Sequence, residues 1–254
     1  MTIRGVLLDL AGVVHQGDAL LPGAAEALRA LDAMGLPYRF VTNTSRKTRA
    51  DLLLRLARLG IEAEPERVYT APLAARDWLA ARSLRPHLLI HPALAPDFAG
   101  LPTDRPNAVF VADAAEHFEY RALNEAFRLL HEGAPLVAVG RNRYFREPDG
   151  LSLDAGPFVA ALEYAAGIEA VVVGKPSPAF FQAAVADLGL TPPEVLMIGD
   201  DVEADVLGAV AAGLQGVLVR TGKFEPADER QLEGGPGRCE PGILEAINTI
   251  NTVS

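Results

Sequence analysis

Four short polar segments each follow a run of apolar residues. Asp9 follows Val6-Leu7-Leu8, Thr42-Asn43 follow Phe40-Val41, Lys175 follows Val171-Val172-Val173-Gly174, and Asp200-Asp201 follow Ile198-Gly199. Brought together, these residue types would make a site for an anion and a metal. Two carboxylates can hold Mg2+, which takes few protein ligands and keeps waters and substrate oxygens in its shell. Lysine adds a charge, and threonine a hydrogen bond, for phosphoryl oxygens. Taken singly, each segment has a plainer reading: Asp9 as a cap or turn residue, Lys175 as a surface lysine, and Thr42 to Ser45 as the cap of a following helix. The repetition of the pattern in this order favours a shared site.

The elements that must position these residues are legible as periodicities. Residues 3–8 read as a strand, 22–34 as a helix with Ala25, Leu28 and Leu31 at helical spacing and Gly35 as its stop, and 38–42 as a second strand. A helix over 46–59 places Leu52, Leu53, Leu56 and Leu59 on one face. Alternation resumes with strand 170–173, helix 178–189, strand 195–198, helix 202–212 and strand 216–219. The expected fold is α/β, a doubly wound parallel sheet covered on both faces. Ligands of such sheets bind beyond the carboxyl ends of the strands, where the four segments would converge. Residues 75–172 differ in texture, with prolines at 86, 92, 96, 102 and 106 and strand candidates at 87–90, 108–111 and 135–139. They read as an inserted smaller α/β domain, leaving 1–74 and 173–254 as the core. The tail from 225 reads as irregular, up to a short closing helix near 242–250.

Composition narrows the function classes. The chain has 254 residues, half of them apolar, enough for a sizeable core. No apolar run approaches the roughly 20 residues of a membrane-spanning helix, and Asp9 interrupts any signal-peptide layout. A soluble, cytoplasmic protein without a membrane partner is expected. The lone Cys239 permits no intramolecular disulfide and no cysteine metal site. A formal charge of −10 argues against a general nucleic-acid binder. The acidic excess is greatest in 173–254, with 5 basic against 12 acidic residues, where a divalent cation would neutralise part of it. The oligomeric state leaves no mark in the sequence.

The order hhhDxxG, hhhTN, GKP and hhGDDxxxD, with h an apolar residue, resembles the haloacid dehalogenase-like (HAD) phosphohydrolase superfamily, and the insert after Thr42 resembles its type II cap. Arg143-Tyr144-Phe145 ahead of Asp149-Gly150, Gly156-Pro157-Phe158 and Arg220-Thr221-Gly222-Lys223 extend the likeness over nearly the whole chain. The resemblance implies a phosphatase acting on a small phosphorylated substrate. Asp9 would be the nucleophile that forms an aspartyl-phosphate. Mg2+ would be held by Asp9, Asp200 and the backbone carbonyl of Ala11, with Asp205 orienting the metal shell. Thr42 and Asn43 would bind the transferring phosphoryl group, and Lys175 would neutralise charge. Arg143, in the polar run Arg141 to Tyr144, would reach a substrate anion or else belong to a solvated edge loop.

Ala11 departs from the family pattern, which often has a general-acid aspartate two residues after the nucleophile. Alanine still offers its carbonyl but moves no proton. General acid–base help is worth about 10²–10⁴ in rate, so leaving groups that depart easily should suffer least: aryl and acyl phosphates, pyrophosphate and phosphoramidates. His15, four residues on, is a candidate substitute acid, but a lone histidine in a loop is more often an ordinary one. A phosphonoacetaldehyde hydrolase would need a lysine in the insert, but the lysines are Lys47, Lys175 and Lys223. A catalytically silent phosphate-binding protein with the same fold is the competing reading.

Overall fold

The structure, a computed structural model, describes residues 2–147 and 150–252, with backbone alone at 146, 147, 251 and 252. Asp149 of the Arg143-to-Gly150 motif lies outside the described residues. In chain order the elements begin with β1 (Gly5–Asp9), β2 (His15–Gln16), β3 (Ala19–Leu20), α1 (Ala24–Met34), β4 (Tyr38–Thr42), α2 (Arg49–Arg58) and β5 (Val68–Thr70). Next come α3 (Ala71–Ala80), β6 (Pro86–Leu89), β7 (Ala108–Val111), α4 (Tyr120–His131), β8 (Leu136–Ala138), β9 (Tyr144–Glu147), β10 (Gly150–Leu153), α5 (Gly156–Ala166) and β11 (Val171–Val172). The last are α6 (Pro178–Ala186), β12 (Val195–Gly199), a π-helical segment Val202–Leu207 running into α7 (Gly208–Ala211), β13 (Gln215–Val219), β14 (Gly237–Glu240) and α8 (Ile243–Asn248).

The chain forms two compact units, one of 1–42, 52–69 and 175–254, the other of 43–51 and 70–174. The first is built on a six-stranded sheet in the order β14-β13-β12-β1-β4-β5. β1 pairs in parallel with β12 on one side and β4 on the other, and β13 and β14 continue in parallel beyond β12. Every residue of β1 and β12 is buried, as befits central strands covered on both faces. Helix α1 adds Ala24, Ala27, Leu28 and Leu31 to one side of this core. From β1 the chain order runs outward through β4 and β5 one way and through β12, β13 and β14 the other. The strand order therefore reverses between β1 and β12, the kind of switch point at which open α/β sheets leave a crevice for ligands.

The second unit has its own four-stranded sheet, β11-β8-β7-β6, parallel throughout, and the separate antiparallel hairpin of β9 and β10. Its core joins Val109, Val111, Leu136 and Ala138 to Ala126 and Leu130 of α4 and to Val159 and Leu162 of α5.

Three elements differ from expectation. Helix α2 starts at Arg49 rather than 46, because the Thr48 hydroxyl accepts from the Asp51 amide (3.1 Å) while the Asp51 carboxylate accepts from the Thr48 amide (3.0 Å), a reciprocal cap. The strand before Lys175, read as part of the alternating core, is the two-residue β11, which pairs with β8 in the second unit's sheet. The tail read as irregular contains β14, paired with β13 from Gly216↔Gly237 to Val219↔Glu240. Among the described residues no helix is long and apolar enough to cross a membrane.

Candidate functional site

Register brings three of the four polar segments to one edge of the six-stranded sheet. Asp9 ends β1 with Val41 beside it, so Thr42 lies one residue further along β4. Leu8 stands beside Ile198, so Asp200 follows the end of β12 on the other side. Lys175 reaches the same place by its side chain: its Nζ donates to Asp9 Oδ1 at 2.5 Å and to Asp205 Oδ1 at 2.6 Å. Asp205 sits on the π-helical segment, whose widened turn returns its Oδ2 to the Asp201 amide (3.2 Å) while the Asp201 carboxylate caps the segment through the Ala204 amide (2.9 Å). Widened turns of this type recur at functional sites. Asp9, Asp200 and Asp205 each present a carboxylate oxygen within 4.8 Å of the others, and all three are buried.

Asp200 is packed by backbone. Its Oδ2 accepts the Lys223 amide at 2.7 Å. Gly12 (φ 87°) and Gly222 (φ 61°) lie against its carboxylate, and a Cβ at either would collide with it, so both the left-handed backbone and the missing side chain are needed there. The Thr221 hydroxyl donates to the Gly12 carbonyl at 2.5 Å.

The electrostatics of the cluster are unbalanced. Burial, with the neighbouring charges of Asp9 and Asp205, pushes the Asp200 carboxyl up to about 8. Burial also raises Asp205, to about 6, although Lys175 opposes it. For Lys175 burial pulls the other way, yet Asp205 and Asp9 hold its ammonium above the ordinary lysine range. Asp201 is lowered: burial would raise it, but Lys223 and the Ala204 amide outweigh burial. Among the described residues Lys175 is the one buried cation, against three clustered carboxylates. Buried charges need compensation, and an oxygen-seeking divalent cation beside Asp9 and Asp200 would supply what Lys175 leaves uncovered. The donor set therefore fits a divalent metal ion.

Thr42 is buried at the end of β4, whereas Ala11 is exposed and bridged to His15. His15 is buried, and its backbone carbonyl accepts the Gly12 amide at 2.8 Å. Asn43 belongs to the second unit, with its Oδ1 against Gly174. Arg143 is also in that unit, exposed just before β9. Asp113, Glu116 and His117 lie in and just before a short 3-10 turn, Ala115–His117, with Asp113 paired to Arg46 at 2.5 Å. Sequence reasoning gave no role to Thr221, Gly222 or the Lys223 amide. The signal was present: Arg220-Thr221-Gly222-Lys223 is a fifth polar segment directly after a strand.

Known proteins resemble this chain along nearly its full length. Residues 6–97 match a family model described as haloacid dehalogenase-like hydrolase, and residues 172–246 match a second HAD-hydrolase-like model. The chain is 48% identical over 248 residues to haloacid dehalogenase-like hydrolase domain-containing protein 2 of Rattus norvegicus, covering 98% of this chain and 96% of the relative. It is 44% identical over 254 residues to the phospholysine phosphohistidine inorganic pyrophosphate phosphatase of Bos taurus, covering 98% and 94%. Among solved structures, a 4-nitrophenylphosphatase from Thermotoga maritima superposes with a TM-score of 0.90 at 26% identity, covering 98% of this chain and 97% of that one. A p-nitrophenyl phosphatase from Archaeoglobus fulgidus gives the same score and identity over 98% and 100%. With a buried carboxylate cluster at the switch point of a parallel sheet, and relatives matched along nearly its full length, the chain belongs to the haloacid dehalogenase-like hydrolase family, among its phosphatases.

Proposed function

We propose that the protein is a Mg2+-dependent phosphohydrolase that works through an aspartyl-phosphate at Asp9 and prefers substrates with good leaving groups. The observation that carries the reading is the bonded chain Asp9–Lys175–Asp205 with Asp200 beside it. Lys175 ties down Asp9 Oδ1, leaving Oδ2 to attack phosphorus in line with the departing oxygen or nitrogen. Thr42 and Asn43 hold the phosphoryl oxygens, and Asp205 aims the ammonium. Mg2+, held by the carboxylates of Asp9 and Asp200 and the carbonyl of Ala11, would supply charge stabilisation to the phosphoryl group. Water then cleaves the acyl phosphate, releasing inorganic phosphate and restoring Asp9. Residues 1–74 and 173–254 act as the catalytic core in this reading, and 75–172, with Arg143, as the cap that selects substrates.

Ala11 bears on the leaving group. Its methyl can neither protonate the departing atom nor activate water, so the rate rests on electrostatics and on how readily the leaving group departs. Relatives named for pyrophosphate, phospholysine, phosphohistidine and nitrophenyl phosphate support this preference, since all of these have good leaving groups or a labile P–N bond. The single cysteine suits a cytoplasmic setting.

The test is a phosphatase panel with MgCl2 over aryl, alkyl, pyrophosphoryl and phosphoramidate substrates, run on wild type, Asp9→Asn and Ala11→Asp. Aryl and pyrophosphoryl turnover should exceed alkyl turnover in wild type, and Ala11→Asp should raise alkyl turnover by about 10²-fold. Equal wild-type rates on sugar and aryl phosphates would sink the leaving-group argument, and an unimpaired Asp9→Asn would sink the nucleophile assignment.

A further inference from the structure

The site contains a strap whose bonding pattern points to a task. After β13 the chain passes through Thr221, Gly222 and Lys223 and bonds both the turn after Asp9 and one carboxylate of the cluster, Asp200. The Thr221 hydroxyl donates to the Gly12 carbonyl, and the Lys223 amide donates to Asp200 Oδ2. Gly222 packs against Gly12, with the Asp200 carboxylate against both. Three segments distant in sequence, the turn after β1, the turn after β12 and the turn after β13, are thus interlocked by two hydrogen bonds and a glycine contact.

Gly12 is flanked by two peptide planes, and both are held. The plane joining residues 11 and 12 is fixed because the Gly12 N–H donates to the His15 carbonyl at 2.8 Å. A trans peptide is planar, so the Ala11 carbonyl must then point opposite to that N–H. The plane joining residues 12 and 13 is fixed from the other side by Thr221. With φ at 87°, Gly12 is the soft joint between the planes, and a glycine loses more conformational freedom on being fixed than any other residue. The Thr221 hydroxyl is the side-chain donor that holds the second of these planes, and the His15 carbonyl holds the first.

We propose that Thr221 is a positioning residue for divalent-cation binding: by anchoring Gly12 while the neighbouring Lys223 amide occupies one oxygen of Asp200, it holds the Ala11 carbonyl and the other Asp200 oxygen in one fixed relation. This rests on the metal-dependent reading given above. Alanine offers only its backbone at position 11; the Gly12 N–H bond to the His15 carbonyl sets the direction of that carbonyl, and Thr221 holds the next peptide plane against it. Partners that orient metal ligands are worth about 10–100-fold in metal affinity when removed.

The experiment is a thermal-melt titration with MgCl2 on wild type, Thr221→Val, Thr221→Ala and Thr221→Ser, with melts in chelator as the folding control. Valine matches threonine in shape and lacks the donor, alanine relieves any misfit of the valine, and serine keeps the hydroxyl. Half-saturation by Mg2+ should rise at least about 10-fold in the valine and alanine variants and return to within about 2-fold of wild type in the serine variant. Steady-state assays should show the same rise in the Mg2+ concentration for half-activation, with KM for p-nitrophenyl phosphate unchanged. Valine or alanine variants that melt cooperatively and bind Mg2+ like wild type overturn the positioning role and leave the metal-dependent reading standing. A wild type whose melt ignores MgCl2 overturns that reading, and the positioning role with it.

Discussion

The unbalanced charge of the cluster makes cation binding and stability depend on pH in opposite directions, and the size of each effect follows from Asp200. Its carboxyl is pushed up to about 8 by burial and by the charges of Asp9 and Asp205. In the unfolded chain it would titrate near the ordinary aspartate value of about 3.9. A carboxyl raised on folding means that the folded state binds the extra proton, so its contribution to stability is full below about pH 4 and is lost as pH rises through about 8. Between pH 6 and pH 8 the cation-free protein should lose about 2 kcal/mol, because the unfolded chain is already ionised there while the folded one releases its proton. Mg2+ needs the ionised carboxylate, so the proton competes with it. The ionised fraction of a group titrating near 8 falls from about one half at pH 8 to about one hundredth at pH 6, which weakens apparent Mg2+ binding by about 50-fold. The assay is a pair of melts at each of several pH values, in chelator and across a MgCl2 titration, on wild type and Asp200→Asn. The wild-type melting temperature in chelator should fall from pH 6 to pH 8, saturating MgCl2 should abolish the fall, and Asp200→Asn should flatten it in either condition. Asp205, raised to about 6, should add a smaller step at the acid end, and the two steps belong to the cluster as a unit. A flat wild-type profile in chelator, or an Asp200→Asn protein with the same slope as wild type, would refute the charge imbalance.

Other expectations can be checked on the same preparations. Lys175→Met removes an ammonium bonded to both Asp9 and Asp205; uncompensated buried charge should cost about 3–5 kcal/mol in urea melts, and kcat should fall at least about 10²–10³-fold. Gly222→Ala places a Cβ on a left-handed backbone and into the Asp200 carboxylate; Mg2+ half-saturation should rise by more than the roughly 1–2 kcal/mol lost in stability can explain, and unaltered Mg2+ binding would contradict the packing. Leu196→Ala, at a fully buried position of β12, should cost about 2–5 kcal/mol while leaving kcat per folded molecule close to wild type, and a selective loss of kcat would show that the strand does more than support the site.

Much of the site can be read from the chain because its residues obey a local rule. A buried parallel strand is a run of apolar residues, and the polar residue that ends it must lie at the carboxyl edge of the sheet. Asp9, Thr42 and Asp200 follow that rule, and the elements behind them form where the pattern puts them, 38–42 as read and 195–198 extended by Gly199. Lys175 reaches the cluster by a different route, since the valines before it pair with β8 in the second unit's sheet. Two adjacent valines fit an edge position in either sheet, and only the available partner strand decides between them. β14 shows the same dependence: Gly-Arg-Cys-Glu has no strand pattern of its own, and it becomes a strand because the open edge of β13 offers hydrogen bonds.

By itself, then, the sequence determined which residues could be nucleophile, counter-ion and metal ligand, and that a carbonyl alone remains at position 11. Those properties belong to single side chains and to strand ends. Tertiary structure alone decided that Asp205 is bonded to Lys175, that Asp200 is held by the Lys223 amide, and that Thr221 and two glycines lock the turn after Asp9. These are contacts between segments far apart in the chain, with energies set by burial and distance, and neither quantity exists until the sheet has brought its strand ends together.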